Sequence, residues 1–135
     1  MPELVFDTGL GELFVVRVAG NIANTFSIAS IEYAVAHIES KVIFVLGHHS
    51  CGAVTAVVNG GDNGCNLNHL LSHINLALAA SGENASITGV VKKNAELTSK
   101  ELNNRSSIIK NVFDNGDLKI VPAYYNLDSG KVDFL

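Results

Sequence analysis

Two cysteines are the whole thiol content of these 135 residues, and the chain has neither a basic excess nor a long apolar run. The cysteines could pair, but the N-terminus lacks the basic and apolar regions of a signal peptide. We therefore expect reduced thiols and a cytoplasmic location. Nine Lys and Arg against 13 Asp and Glu give a net charge of −4. That balance offers no basic stripe for nucleic acid and no polybasic membrane anchor, and no segment is long enough to span a bilayer.

The residues that are present favour one well-buried globular unit. Hydrophobic residues make up 47% of the chain and charged residues 16%. A chain of this length can bury a sizeable core, so we predict a single domain over residues 1–135.

Continuous apolar runs alternate with helical patterns along the chain. "ELFVVRVAGN" (12–21) predicts a buried strand at 12–18 that feeds a turn, and "KVIFVLG" (41–47) predicts a second strand. This alternation predicts a three-layer α/β fold, with a mostly parallel central sheet flanked by helices and a C-terminal antiparallel strand. Helices are expected at 27–38, in "GAVTAVV" before Gly60, at about 66–80, in "ITGVVKKNAELTSKELNN" and in "SSIIKNVFDNG"; "LKIVPAYY" and "KVDFL" predict a terminal hairpin.

The segment "FVLGHHSCGAV" (44–54) places His48 and Cys51 directly after the second strand. Imidazole nitrogen and thiolate sulfur are zinc ligands, and ligands in open parallel sheets bind beyond the carboxyl ends of the strands. A catalytic zinc site usually has three protein ligands and one open position. His48 and Cys51 therefore predict part of a metal site.

Cys65, His69 and His73 form a second group of candidate ligands, spaced i, i+4 and i+8. On a continuous helix they share one face, opposite a stripe of leucines. Three interpretations stay open: an exposed polar face, a separate metal site, or a source of an additional ligand for His48 and Cys51, from the same chain or a neighbouring subunit.

Five blocks in order, over essentially the whole chain, resemble the β-carbonic anhydrase family: "PELVFDTGLGELFVVRVAGNI", "SIEYAV", "VIFVLGHHSCGAV", "KKNAELT" and "IVPAYYNLDSGKVDFL". The resemblance implies a zinc cofactor held by His48 and Cys51 of the G-H-x-x-C-G motif. The family reaction is the reversible hydration of carbon dioxide to bicarbonate, in which zinc makes hydroxide available near neutral pH. The resemblance also implies a homo-oligomer, either a dimer or a larger assembly.

Further pocket residues follow from the same resemblance. Arg17, Gly20 and Asn21 match the family's R-x-A-G-N block, and Gly52 follows the cysteine ligand. Arg17 either shapes the pocket or pairs with a carboxylate.

One family motif is not found within these residues. Members carry C-x-D-x-R just upstream of the "PEL" block; its cysteine is the third zinc ligand and its aspartate and arginine orient the site. The family's first strand, which is also not found here, lies between the strands represented here by 12–18 and 41–47. We therefore expect that strand 12–18 moves beside strand 41–47, or that a partner chain fills the gap. The catalytic residues stay unassigned, and a catalytically silent zinc-binding or oligomeric interaction protein is the alternative function.

Overall fold

A computed structural model describes all of residues 1–135, with seven α-helices and three strands. A 3₁₀ helix at Ala19–Asn21 precedes the second α-helix. The α-helices are α1 (Pro2–Phe6), α2 (Thr25–His37), α3 (Gly52–Asn59), α4 (Cys65–Ser72), α5 (Asn75–Ser81), α6 (Ile87–Arg105) and α7 (Ser107–Asp114). The strands are β1 (Val42–His48), β2 (Lys119–Asn126) and β3 (Lys131–Phe134).

The sheet confirms the predicted α/β fold with its C-terminal antiparallel strand. The strand order is β1-β2-β3, and β1 runs parallel to β2 from Val42 opposite Lys119 to His48 opposite Tyr125. β3 pairs antiparallel with β2. The parallel pair requires a long crossover, which α3 to α7 supply.

Alternate residues of β1 face α6, which fixes the position of the strand. Ile43 and Val45 pack with Ala95 and Leu102 of α6. A Cβ added at Gly47 would lie 2.7 Å from Cγ1 of Val91, so strand and helix are in direct contact there. The opposite face is more open: Phe6 stacks on Phe44 at 4.9 Å between ring centroids, and Phe44 is 39% exposed.

The prediction of a strand at 12–18 is wrong. Residues 13–18 are in neither a helix nor a strand, and residues 13–17 form no backbone–backbone hydrogen bond. The segment has not moved beside β1, which pairs with β2 alone. An apolar, β-branched sequence favours an extended chain, but a strand exists only when a neighbouring backbone supplies donors and acceptors. The segment is attached instead by side chains, with Val18 packed against the core.

The single helix predicted at 66–80 is divided into α4 and α5. At the junction the N–H groups of His73 and Ile74 donate to the carbonyls of Leu70 and Leu71, three residues back. This tighter turn rotates the chain and buries Ile74 completely. Helices α2, α3, α6 and α7 and strand β1 agree with the predictions within a few residues, whereas α1 was not predicted.

The loop before α4 is closed by side-chain hydrogen bonds. Asp62 accepts from the Gly64 N–H at 2.9 Å and from Asn68 Nδ2 at 2.7 Å. These two bonds favour the carboxylate and hold the pKa of Asp62 below its ordinary value. None of the seven α-helices combines the length and the apolar character that crossing a lipid bilayer requires.

Candidate metal centre

His48 and Cys51 lie together where β1 passes into α3. His48 is the last residue of β1, and Cys51 is the N-cap of α3. Ser50 adopts a left-handed conformation with φ of 56°, which reverses the chain between them. The strand–turn–helix context predicted from the sequence therefore has a local backbone cause: a tight turn at the carboxyl end of a parallel strand.

The imidazole of His48 is oriented by the backbone of the next residue. Its Nδ1 lies 3.0 Å from the carbonyl oxygen of His49. Because a carbonyl oxygen only accepts, this contact requires a proton on Nδ1 and leaves Nε2 as the nitrogen that can face a metal. His48 is exposed, so the nitrogen available to a metal is on an accessible ring.

Cys51 has the opposite environment. It is only 3% exposed and packs in the core cluster that includes Val54, Ile74 and Tyr124. Its side chain makes no capping hydrogen bond, whereas its carbonyl accepts from the N–H and Oγ1 of Thr55. The thiol is thus free of local partners and fixed by packing.

Neighbouring His49 belongs to another contact. Its Nδ1 lies 3.4 Å from a carboxylate oxygen of Asp128 in the β2–β3 turn, and its N–H donates to the carbonyl of Tyr125. These bonds direct His49 toward β2 and support its interpretation as a structural neighbour of the metal pair.

Within residues 1–135, no three His, Cys, Asp or Glu side chains come together as a metal-binding group. His48 and Cys51 supply two of the three protein ligands that a catalytic zinc usually needs. The residues of this chain therefore do not fit a complete catalytic zinc site by themselves.

The second group of candidate ligands is only partly assembled. His69 and His73 have ring centroids 5.6 Å apart, with the rings nearly perpendicular at 86°. Cys65 is exposed at the first residue of α4. These three residues do not form a metal-binding group with one another or with His48 and Cys51.

The predicted pocket residues occupy different environments. Arg17 is exposed and takes part in none of the four ion pairs of the chain, so the predicted alternative of a carboxylate partner is not observed. Asn21 has φ of 40°, and its Nδ2 is buried without a hydrogen-bond partner. Gly52 begins α3 with open space around its Cα.

Gly20 is the most constrained of these residues. It is buried with φ of 68°, and an added Cβ would lie 2.6 Å from Cδ1 of Ile74 and 3.3 Å from Cβ of Ala53. The absent side chain allows the 3₁₀ turn to approach α3 two residues after Cys51.

Asn94 is a residue that the sequence analysis missed. It is 3% exposed on α6, and its Nδ2 donates to the carbonyl of Gly20 at 2.7 Å. The bond fixes the turn beside the candidate centre across 74 positions of sequence. A polar residue on the buried face of α6, next to Val90, Val91 and Ala95, was the available signal.

We expect Asn94→Ala to lower the free energy of unfolding by about 1–3 kcal/mol, because the Gly20 carbonyl would lose its buried donor. Urea unfolding followed by circular dichroism measures the loss. Asn104→Ala on the same helix, at a position that forms no such bond, is the control. Equal losses in the two variants would contradict the role of Asn94.

The structure is that of an α/β protein with a histidine and a cysteine at the end of a parallel strand. Comparisons with known proteins give its family. The carbonic anhydrase family model matches residues 1–132. Carbonic anhydrase 2 of Mycobacterium tuberculosis is 36% identical over 135 residues, covering 96% of this chain and 65% of that protein. Carbonic anhydrase of Mycolicibacterium smegmatis is 35% identical over 137 residues, covering 97% and 66%.

Solved structures agree. The β-carbonic anhydrase of Coccomyxa, in complex with acetazolamide, has a TM-score of 0.88 at 25% identity, covering 100% of this chain and 66% of that one. A tetrameric β-carbonic anhydrase of Sordaria macrospora has a TM-score of 0.87 at 23% identity, covering 98% and 73%. The chain belongs to the β-carbonic anhydrase family. It spans about two thirds of the length of its mycobacterial relatives.

Proposed function

We propose that residues 1–135 carry the histidine–cysteine half of a β-carbonic anhydrase zinc site, and that carbon dioxide hydration requires a third ligand from outside these residues. The observation that carries the proposal is the position of an accessible His48 ring, its Nδ1 bonded to a carbonyl, at the end of β1 and three residues before the unpartnered thiol of Cys51. When bound, zinc supplies a water that ionises near neutral pH.

The free edge of β1 supports a source for the missing ligand. β1 is an edge strand whose second side pairs with nothing, and His48 is its last residue. Residues 13–17 likewise have unpaired backbone groups. Exposed strand edges bind further strands through main-chain hydrogen bonds. A strand of another polypeptide that pairs with this edge would bring its side chains beside His48.

Chemistry and assembly follow from the same proposal. The substrate is carbon dioxide or bicarbonate, the cofactor is Zn²⁺, the location is cytoplasmic, and the chain forms a homo-oligomer that still needs the outside ligand for hydration. The tetrameric relative of known structure supports an oligomer.

Zinc content and carbon dioxide hydration, measured on the purified chain, test the proposal. We expect zinc binding that His48→Ala and Cys51→Ser each weaken by at least about 10–100-fold, the loss that mutation of an outer-shell partner alone causes. His49→Gln is the matched control and should retain zinc, since His49 pairs with Asp128. Zinc binding that is unchanged in both ligand variants would refute the half-site.

The activity measurement tests the need for an outside ligand. Zinc binding without hydration by the chain alone agrees with both candidate functions, because no three-ligand group forms within residues 1–135. Zinc-dependent hydration by the chain alone, abolished by His48→Ala, would contradict the need for an outside ligand.

A further inference from the structure

His69 and His73 form a pair of imidazoles separate from the family site. They lie one helical turn apart at the end of α4, with ring centroids 5.6 Å apart. Neither ring takes part in a side-chain hydrogen bond or an ion pair, so all four ring nitrogens are free. His69 is exposed and His73 is half-buried, and solvent therefore reaches the pair.

The backbone beneath the pair is held rigidly. Leu71 is 6% exposed and Ile74 is fully buried, and both pack in the main core cluster. The tight turn at His73 and Ile74 is closed by backbone hydrogen bonds to Leu70 and Leu71. Because the core residues between and after the histidines fix this turn, little backbone order has to be gained when a ligand joins the two rings.

The ring separation suits a shared metal ion. An ion about 2.0–2.1 Å from one nitrogen of each ring, in tetrahedral geometry, holds the ring centroids roughly 5 Å apart. The observed 5.6 Å is close to this value; the rings stand at 86° to each other, and a change in the side-chain torsion angles of exposed His69 would turn one nitrogen of each ring toward a common ion. Two histidines at i and i+4 on one helix face are a known zinc-binding arrangement.

The type of ligand atom restricts which metal ions the pair can bind. Imidazole nitrogens favour zinc, copper and nickel over magnesium or calcium, which take oxygen ligands. His73 also borders a cleft of about 350 Å³ between α5 and α6 that Glu101 and Lys100 line. The cleft leaves room for water at the remaining coordination positions.

We propose that His69 and His73 form a two-histidine surface site for a divalent cation that prefers imidazole nitrogen, such as Zn²⁺. This site is distinct from that of His48 and Cys51. The site needs no third protein ligand, since water fills the other positions. Cys65 lies one turn earlier but is not part of a metal-binding group with the pair. The proposal is independent of the proposed family function.

The test is a titration of the full chain with Zn²⁺ alone, in competition with a chromophoric chelator. His48→Ala is the background, so that the candidate family site does not contribute. We expect one zinc per chain, with His69→Gln and His73→Gln each weakening it at least about tenfold, the step expected when a bidentate site loses one ligand. Zinc should also raise the melting temperature of the background variant, but not of either glutamine variant.

Two controls keep the outcome decisive. His37→Gln removes an exposed helical histidine with no histidine four residues away, and Cys65→Ser removes the nearby thiol. Both should leave zinc binding unchanged. The proposal would be overturned if His37→Gln weakened zinc binding as much as His69→Gln does. It would also be overturned if Cys65→Ser weakened zinc binding and His73→Gln did not.

If the His48→Ala background does not fold, NMR of the unaltered chain answers the same question. Substoichiometric Ni²⁺ should broaden the ring signals of His69 and His73 together, before that of His37. Simultaneous broadening of all three would exclude a specific site.

Discussion

Replacing Gly20 with alanine is expected to lower the free energy of unfolding by about 2–5 kcal/mol. Two costs add at this position. A side chain in the left-handed conformation costs about 1–2 kcal/mol, and forcing a methyl group into a packed core costs about 1–3 kcal/mol. Gly20 has φ of 68°, and its added Cβ would lie 2.6 Å from Ile74, which is fully buried. Urea unfolding followed by circular dichroism measures the effect.

Gly130 provides a matched control for the conformational part. Its φ is 67°, and an added Cβ would meet nothing within 4 Å. Gly130→Ala should therefore lose only the conformational cost, about 1–2 kcal/mol. If Gly20→Ala and Gly130→Ala lowered the free energy of unfolding equally, the contact with Ile74 would not contribute to the effect of Gly20→Ala.

A double-mutant cycle locates the clash. Ile74→Val removes Cδ1, the atom nearest to the added methyl group, and by itself should cost about 0.5–1.5 kcal/mol. The double variant Gly20→Ala/Ile74→Val should lose less than the sum of the single variants, since the cavity accepts the new methyl group. Additive losses would refute this contact.

Leu102→Ala is the second large effect, an expected loss of about 2–5 kcal/mol. Leu102 is 1% exposed on α6 and packs with Ala95, Ile109 and Leu118 in the second core cluster. Alanine would leave a cavity where α6, α7 and the sheet meet, and close packing prevents the neighbours from filling it. Thermal and urea unfolding should both report the loss.

Leu67→Ala is the control for Leu102. Leu67 is 42% exposed on α4, so its truncation should change stability by no more than about 0.5 kcal/mol. If the two leucine variants lose similar stability, the core beneath β1 is not organised as described.

The sequence predicted the local surroundings of the candidate site, but not how many metal ligands the folded chain brings together. An apolar strand followed by H-x-x-C and a helix is a local pattern, and β1, His48, Cys51 and α3 lie as the pattern predicts. The bond from Asn94 to Gly20 joins positions 74 residues apart, and no local pattern encodes its partner. Whether a third ligand joins His48 and Cys51 depends on which side chains lie close together in the folded chain, and none does.

The break between α4 and α5 shows the limit of periodicity. Leucines at helical spacing predict one helix over 66–80, because side-chain period reports only which face is apolar. The tight turn at His73 and Ile74 depends on how deeply Ile74 enters the core, a property of the packed neighbours. The same turn positions the His69–His73 pair.

The sequence by itself determined the α/β class, the apolar strand β1, the terminal hairpin and the position of His48 and Cys51 at a strand end. These features rest on local propensity and side-chain period, which neighbouring residues encode. Tertiary structure alone decided that residues 13–17 stay unpaired and that β1 keeps a free edge. A strand needs a partner backbone as well as a suitable sequence, and the partner is a property of the assembled sheet. "FVLGHHSCGAV" therefore specifies two ligands and their setting, whereas the source of a third depends on what pairs with that edge.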